Sequence, residues 1–280
     1  MKYLVTGASG QLGQKVIAHL ATLVPSGDIV ALVRSEQAAA DYAAKGIETR
    51  FGDYDTPETL ASAFAGIDRV LLISGSAIGQ RVAQHTAAIA AAKAAGVGYL
   101  AYTSILRADT SPMMLAAEHK ATEDALKASG LSYTILRNGW YLENTLMTLD
   151  QDLALGQHFG ATADGKLSSA TRQDYAEAAA VVLSGQGHDG KTYELASDTG
   201  FTLTDYAAAV TAAKCQPVAF VDMPQDAFAA ALVGAGLPEG FATVLADSDA
   251  QAAKGWLFDD SKTLSRLIGR PTTSLAAALA

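Results

Sequence analysis

The sequence predicts an α/β fold: a doubly wound parallel sheet with a smaller, mostly helical C-terminal lobe. Three observations predict it. Short apolar runs alternate with helical stretches through the first half of the chain. A glycine-rich turn joins the first run to the first helical stretch. After about Asn138 strand signals become sparse while helical ones persist. Alternating strands and helices mean βαβ units and a parallel sheet. Such a sheet is covered on both faces, so its strands read as unbroken apolar runs rather than alternating ones.

In chain order, residues 3–6 form the first strand and residues 11–23 the first helix. Strand 29–33 and helix 36–44 follow, then a weaker strand at 47–51 and a helix at 57–64. The next pairs are strand 70–74 with helix 79–95 and strand 99–103 with helix 115–129, before a strand at 131–136. The strands are read from short runs rich in Val, Leu, Ile and Tyr. Beyond Asn138 only residues 192–195 and 218–221 carry strand signals, whereas 204–214, 225–233 and 241–254 read as helices. Residues 173–184 read as a helix that returns to the main domain. The expected division is therefore 1–137 with that returning helix, and 138–280 as the lobe. The Ala-rich runs are helix formers, not low-complexity sequence.

Composition narrows the function. Of the 280 residues, 50% are hydrophobic and 18% charged, enough to build a sizeable core and too apolar for disorder. The net charge of −9, with no local basic cluster, argues against nucleic acid as a partner. The single cysteine, Cys215, makes neither an internal disulfide nor a Cys-rich metal site, and His19, His85, His158 and His188 lack metal-ligand spacing, so no metal is expected. The longest apolar stretches, such as 87–92, fall far short of a membrane span, and the chain enters a strand at its first residues. A soluble, cytoplasmic protein is expected.

The strongest chemical signal is Thr6-Gly7-Ala8-Ser9-Gly10-Gln11-Leu12-Gly13, which follows the first strand and opens the first helix. Gly7 suits the tight turn, Gly10 lets the backbone approach a pyrophosphate, and Gly13 lets helix and strand pack closely. Together with Ser9, Gln11 and Leu12 they present N–H groups at a helix start to phosphates. In its βαβ context the turn predicts a Rossmann-type dinucleotide site. Its G-x-x-G-x-x-G spacing points to extended or atypical short-chain dehydrogenases. The second strand ends in Arg34, where NAD sites usually carry an acidic residue; an arginine there can fork onto a 2′-phosphate, which favours NADPH. The alternative is a solvated surface arginine. Asp53 follows the third strand and either reaches the adenine amino group or serves a turn or cap. Ser74, Gly75 and Ser76 follow the fourth strand and leave room for the cofactor at the strand ends.

Thr6 to Gly13, Leu72-Ile73-Ser74, Ala101-Tyr102-Thr103-Ser104, Leu136-Arg137-Asn138-Gly139-Trp140-Tyr141 and Phe258-Asp259-Asp260-Ser261-Lys262-Thr263-Leu264 together resemble the NmrA-like atypical short-chain dehydrogenases. Within them the resemblance is to the bacterial type 2 NAD(P)H:quinone oxidoreductases, with triphenylmethane dye reductases as relatives, and it spans essentially the whole chain. It implies an NADPH site made by the glycine turn, Arg34, the loop after the fourth strand, and Asn138, Gly139, Trp140, Tyr141 and Glu143, the last segment lying near the nicotinamide. It also implies hydride transfer from NADPH to a quinone without flavin.

Typical short-chain dehydrogenases use Ser, Tyr and Lys, the last two spaced Y-x-x-x-K on one helix, with Tyr as proton donor. Ser104 stands at the serine position, but the following helix carries His119 and Glu123 at the corresponding spacing and no Tyr-x-x-x-Lys. Either His119 is a catalytic proton donor or orienting group, or the site needs no dedicated acid because a quinone accepts hydride readily. The second is favoured. Trp140, Tyr141, Phe241 and Trp256, with Phe258, are candidates for a flat apolar substrate pocket, though each is equally suited to a core. Competing readings are a non-catalytic NADP(H) redox sensor and a reductase of another aromatic or enone substrate. The sequence leaves the oligomeric state open, a homodimer included.

Overall fold

In the computed structural model, which describes residues 1–280, the alternating runs and helices close into one seven-stranded sheet. Its first half contains β1 (Tyr3–Val5), α1 (Gln11–Leu23), β2 (Ile29–Val33), α2 (Glu36–Ala43), β3 (Glu48–Phe51), α3 (Glu58–Phe64), β4 (Arg69–Leu72), α4 (Arg81–Ala94), β5 (Tyr99–Ile105), α5 (Met114–Ala128) and β6 (Ser132–Asn138). Then come α6 (Leu142–Leu146), α7 (Leu149–Leu155), β7 (Gln157–Gly160), α8 (Arg172–Ser184), β8 (Lys191–Leu195), α9 (Leu203–Lys214), β9 (Ala219–Asp222), α10 (Gln225–Gly234), α11 (Glu239–Ala252), α12 (Thr263–Ile268) and α13 (Leu275–Leu279). The strand order is β3-β2-β1-β4-β5-β6-β8, and every pairing from β3 to β6 is parallel. The order reverses between β1 and β4, the switch point at whose strand ends ligands bind in such sheets.

The chain groups into two compact units. The first comprises Met1–Ile105, Glu118–Asn138 and Arg172–Tyr193; the second comprises Leu106–Ala117, Gly139–Thr171 and Glu194–Ala280. The helix over 173–184 thus lies in the first unit, and residues 106–117, read from sequence as part of the main domain, lie in the second. In the first unit Leu4, Val30, Val70, Leu100 and Ile135 from the strands meet Leu60, Phe64, Ile89 and Leu126 from α3, α4 and α5, all buried. Each such side chain contributes about 1.5–3 kcal/mol by leaving water. The opposite face is covered by α1 and α8, which pack on each other. Ala176, Ala179 and Ala180 on α8 are buried, and small side chains at a helix contact allow close axes.

In the second unit β7 pairs with β9 as a parallel two-stranded sheet among helices. Buried Asp152 accepts hydrogen bonds there from Thr148, Tyr206 and the His158 ring (Oδ2–Nδ1 2.9 Å). No helix is long and apolar enough to cross a membrane.

Several elements differ from the sequence reading: β4, read at 70–74, ends at Leu72, α4 spans Arg81–Ala94 where 79–95 was read, and α11 spans Glu239–Ala252 where 241–254 was read. β5 and β6 run two residues past their apolar runs, to Ile105 and Asn138, and the polar residues Ser104 and Arg137 that the extensions bury both meet Glu123. β7 and the short helices α6, α7 and α13 were not anticipated, whereas α12 lies in the helix-like run that follows Asp259 and Asp260. β8, read only as a strand of the lobe, forms the edge of the main sheet beside β6.

Candidate functional site: a glycine turn and the loop after β4

The turn after β1 is built for an anion. Gly7 sits at φ +58°, a left-handed conformation that glycine adopts without strain, and its carbonyl accepts the Gly10 N–H at 3.0 Å. Gly10 caps α1 in extended geometry, no side chain fills the cap, and the first turn holds no acidic residue. The leading N–H groups of α1 are therefore left to an outside acceptor. A Cβ on Gly13 would lie 2.3 Å from the Gly7 carbonyl oxygen and 2.9 Å from the Ala8 Cα, so α1 can start this close to β1 only with glycine there. From α2 the Tyr42 hydroxyl donates to the Ala8 carbonyl at 2.6 Å. Burial pushes that phenol up to about 12, which keeps it a donor. Sequence reasoning missed Tyr42, whose role needs the fold to bring residues 8 and 42 together.

Arg34 lies just past β2, well exposed, with its guanidinium 3.8 Å from Asp53 Oδ2 beyond the neighbouring strand β3. The other Asp53 oxygen accepts the Asp55 N–H at 3.1 Å, so Asp53 does hold a turn. Close by, Tyr54, Asp55, Pro57, Gly79, Gln80, Ala83 and Gln84 line a depression of about 320 Å³.

Beyond β4 the chain leaves the ladder, yet three successive N–H groups stay paired. Ile73 donates to Thr6 Oγ1 (2.9 Å), Ser74 to Thr103 Oγ1 (2.9 Å) and Gly75 to His85 Nε2 (3.0 Å). All three acceptors are buried. Nothing in the local sequence singles out His85, a lone histidine in an Ala-rich helix.

Ser104, His119 and Glu123 come together in the same unit, but in two separate networks. The Ser104 hydroxyl donates to Glu123 Oε1 at 2.7 Å, and Arg137 forks onto both oxygens of that carboxylate at 2.9 and 2.7 Å. His119 instead shares a hydrogen bond with the buried Tyr102 hydroxyl (2.8 Å). Burial, then the charge of Arg81, hold its pKa down at about 3. His85 is held at about 4 by the same two causes.

Those two histidines set an acid limit on stability. Their folded pKa values lie below the ordinary 6.5, so the unfolded chain binds these protons first as pH falls. Stability is full above about pH 6.5 and is lost below it, at about 1.4 kcal/mol per pH unit per histidine. Asp249, pushed up to about 6 by burial, acts oppositely between about pH 6 and its unfolded value near 4, which offsets one histidine. Thermal melts at pH 7, 6 and 5 are expected to show a falling midpoint; a flat midpoint would contradict the buried neutral rings.

The remaining sequence candidates begin with Asn138, buried at the end of β6, and pass to the second unit at Gly139. Gly139 N–H donates to Leu195 O and Leu142 N–H to Ala170 O, fixing the segment that carries Trp140, Tyr141 and Glu143. Trp140 and Tyr141 are half-buried. Trp256 faces the Arg107 guanidinium at 6.0 Å, Phe258 packs on Gly200, and Phe241 is 44% exposed on α11.

A family model described as NAD(P)H-binding matches residues 7–186. The chain is 54% identical over 272 residues to quinone oxidoreductase 2 of Escherichia coli, covering 97% of this chain and 95% of that one. The crystal structure of the E. coli NADPH-dependent quinone oxidoreductase in complex with NADPH matches with a TM-score of 0.97 and 53% identity, over 99% of this chain and 98% of that one. That of the Citrobacter sp. triphenylmethane reductase with NADP(H) matches with a TM-score of 0.94 and 36% identity, over 99% of each chain. The glycine turn, the strand order and these relatives agree: the chain belongs to the NAD(P)H-binding, NmrA-like family of Rossmann-type proteins.

Proposed function

We propose that the chain is an NADPH-dependent quinone reductase that works by direct hydride transfer, without flavin. The observation that carries this reading is Arg34 at the end of β2, beside a glycine turn whose helix start is left uncapped. The 54% identity to a quinone oxidoreductase and the fold shared with its NADPH complex support it. NADPH, when bound, supplies the hydride for a quinone or a similar conjugated acceptor.

The protein's part is to bind and to orient. The N–H groups of Gln11, Leu12 and Gly13, with Ser9 beside them, would hold the pyrophosphate, and Arg34 the 2′-phosphate. Asp53 and the depression next to it would take the adenine. Ser74, Gly75 and Ser76 would flank the cofactor at the switch point, and Asn138, Gly139 and Glu143 its nicotinamide end. Trp140, Tyr141, Phe241 and Trp256 would hold the flat acceptor. Holding the reacting atoms about 3–3.5 Å apart supplies much of the rate.

No side chain is assigned as proton donor. Ser104 gives its hydrogen to Glu123, and His119 is neutral and engaged with Tyr102. Water then protonates the reduced acceptor. His119→Ala is accordingly expected to lower turnover with a quinone by less than about tenfold, below the range of general acid catalysis. A hundredfold loss in a folded variant would make His119 the donor.

The cofactor half of the reading is tested by Arg34→Ala. The variant is expected to lose about 1.5–3 kcal/mol of NADPH affinity, the range for hydrogen bonds to charged groups, with NADH affinity barely changed. Equal losses for both cofactors would sink the assignment of Arg34. Failure of the wild-type protein to oxidise NADPH with any quinone tested would favour a sensor over an enzyme.

A further inference from the structure

The segment from Ser74 to Arg81 has left the sheet, yet it is pinned at both ends by side chains of α4 and α5. At Gly75 the N–H donates to His85 Nε2 (3.0 Å) and the carbonyl accepts from Arg81 Nε (2.6 Å). At Gly79 the N–H donates to Glu118 Oε1 (2.9 Å), while the other oxygen of that carboxylate takes Arg81 Nη1 (3.1 Å). Glu118 and Arg81 are largely buried, and His85 is wholly so.

The direction of each bond is fixed. A backbone N–H only donates, so His85 Nε2 carries the lone pair. The Thr122 hydroxyl gives its hydrogen to the Glu118 carbonyl (2.9 Å), so it accepts from His85 Nδ1–H (3.0 Å). The imidazole is thus neutral and in a single tautomer. Arg81, Glu118, Thr122 and His85 form one hydrogen-bonded chain, in which His85 Nε2 holds the Gly75 amide and Glu118 Oε1 the Gly79 amide.

We propose that His85 and Glu118 are positioning residues for NADPH: they keep the loop after β4 in the shape that receives the cofactor, without touching it. The proposal rests on the cofactor reading given above, which puts this loop at the switch point beside β1. A loop of this kind has no ladder to return to. Without an acceptor the half-buried Gly75 amide would swing toward water, where its donor can be satisfied. That rotation would also carry the Gly75 carbonyl away from Arg81.

The test uses the full-length protein, NADPH and 1,4-benzoquinone, with steady-state kinetics and fluorescence titration of NADPH. His85→Leu and Glu118→Ala are each expected to raise the KM and Kd for NADPH about tenfold, within the worth of one hydrogen bond. The kcat at saturating NADPH and the KM for the quinone should stay within about twofold, since the reacting groups are not displaced. His85→Gln, whose side-chain carbonyl can accept the Gly75 N–H, should recover most of the affinity. Should His85→Leu fail to fold, Glu118→Ala and His85→Gln still decide the matter. A lowered melting temperature with unchanged NADPH Kd in both folded variants would reduce the chain of bonds to a structural one and overturn the proposal. A wild-type protein that does not bind NADPH would instead overturn the cofactor reading itself.

Discussion

Gly13→Ala is expected to abolish usable NADPH binding, with an affinity loss of about 100-fold or more, equivalent to about 2.8 kcal/mol. The added Cβ would meet backbone on two sides, at 2.3 Å from the Gly7 oxygen and 2.9 Å from the Ala8 Cα. Backbone cannot rotate away as a side chain can, so α1 must shift relative to β1. The N–H groups of its first turn then no longer converge where the Gly7–Gly10 turn aims them. Overpacking of this kind also destabilises by about 1–3 kcal/mol, so the melt should move down but stay cooperative. Gly10→Val separates the two effects. A Cβ there meets the Gly7 oxygen at 3.2 Å, a contact that a small adjustment relieves, so the fold should hold while the phosphates lose their approach. Titration calorimetry beside a thermal melt reads both. Tight binding retained by both variants would place the phosphates elsewhere.

Glu123→Ala is expected to produce the largest loss of stability, about 3–5 kcal/mol, because it leaves a buried arginine facing an empty site. The Glu123 carboxylate is fully buried and receives Arg137, Ser104 and the exposed Lys127 ammonium. Ser104→Ala removes only one bond to that charge and should lose about 1.5–3 kcal/mol of stability. Turnover of folded Ser104→Ala at saturating substrates should stay near the wild-type rate. Chemical denaturation and kinetics on both variants check this. A Ser104→Ala protein that is stable but inactive would mean that the serine serves the chemistry, as its position at the end of β5 suggests in ordinary short-chain dehydrogenases.

The sequence was informative where local rules and tertiary structure agree. The first helix begins after Gly10 and ends at Leu23, and β2 covers Ile29–Val33, both as read, because a glycine start and an all-apolar run leave no competing choice. Arg137 and Asn138 look like loop residues in isolation. They belong to β6 because Glu123, fourteen residues before Arg137, supplies the charge that lets the strand continue. β7 was hidden by its composition: Gln157, His158, Phe159 and Gly160 have neither length nor alternation. The glycine turn and the place of Arg34 just past β2 were legible because both are written in adjacent residues. The contacts of His85 and Glu118 were not, since only the packing of α4 and α5 against the sheet shows which amides they meet.

The first unit is assembled from three stretches of chain, and that has a consequence during synthesis. α8, which covers α1, and β8, which closes the sheet edge, are made only after more than thirty residues of the second unit have been added. A nascent chain ending near residue 140 would carry the complete nucleotide turn but leave α1 without the helix that packs along it. Such an intermediate exposes a sticky apolar stripe, the kind of surface that chaperones bind and that drives aggregation. The dinucleotide site is therefore not a transferable module of residues 1–140 alone, and swapping it into another protein would require residues 172–195 to travel with it.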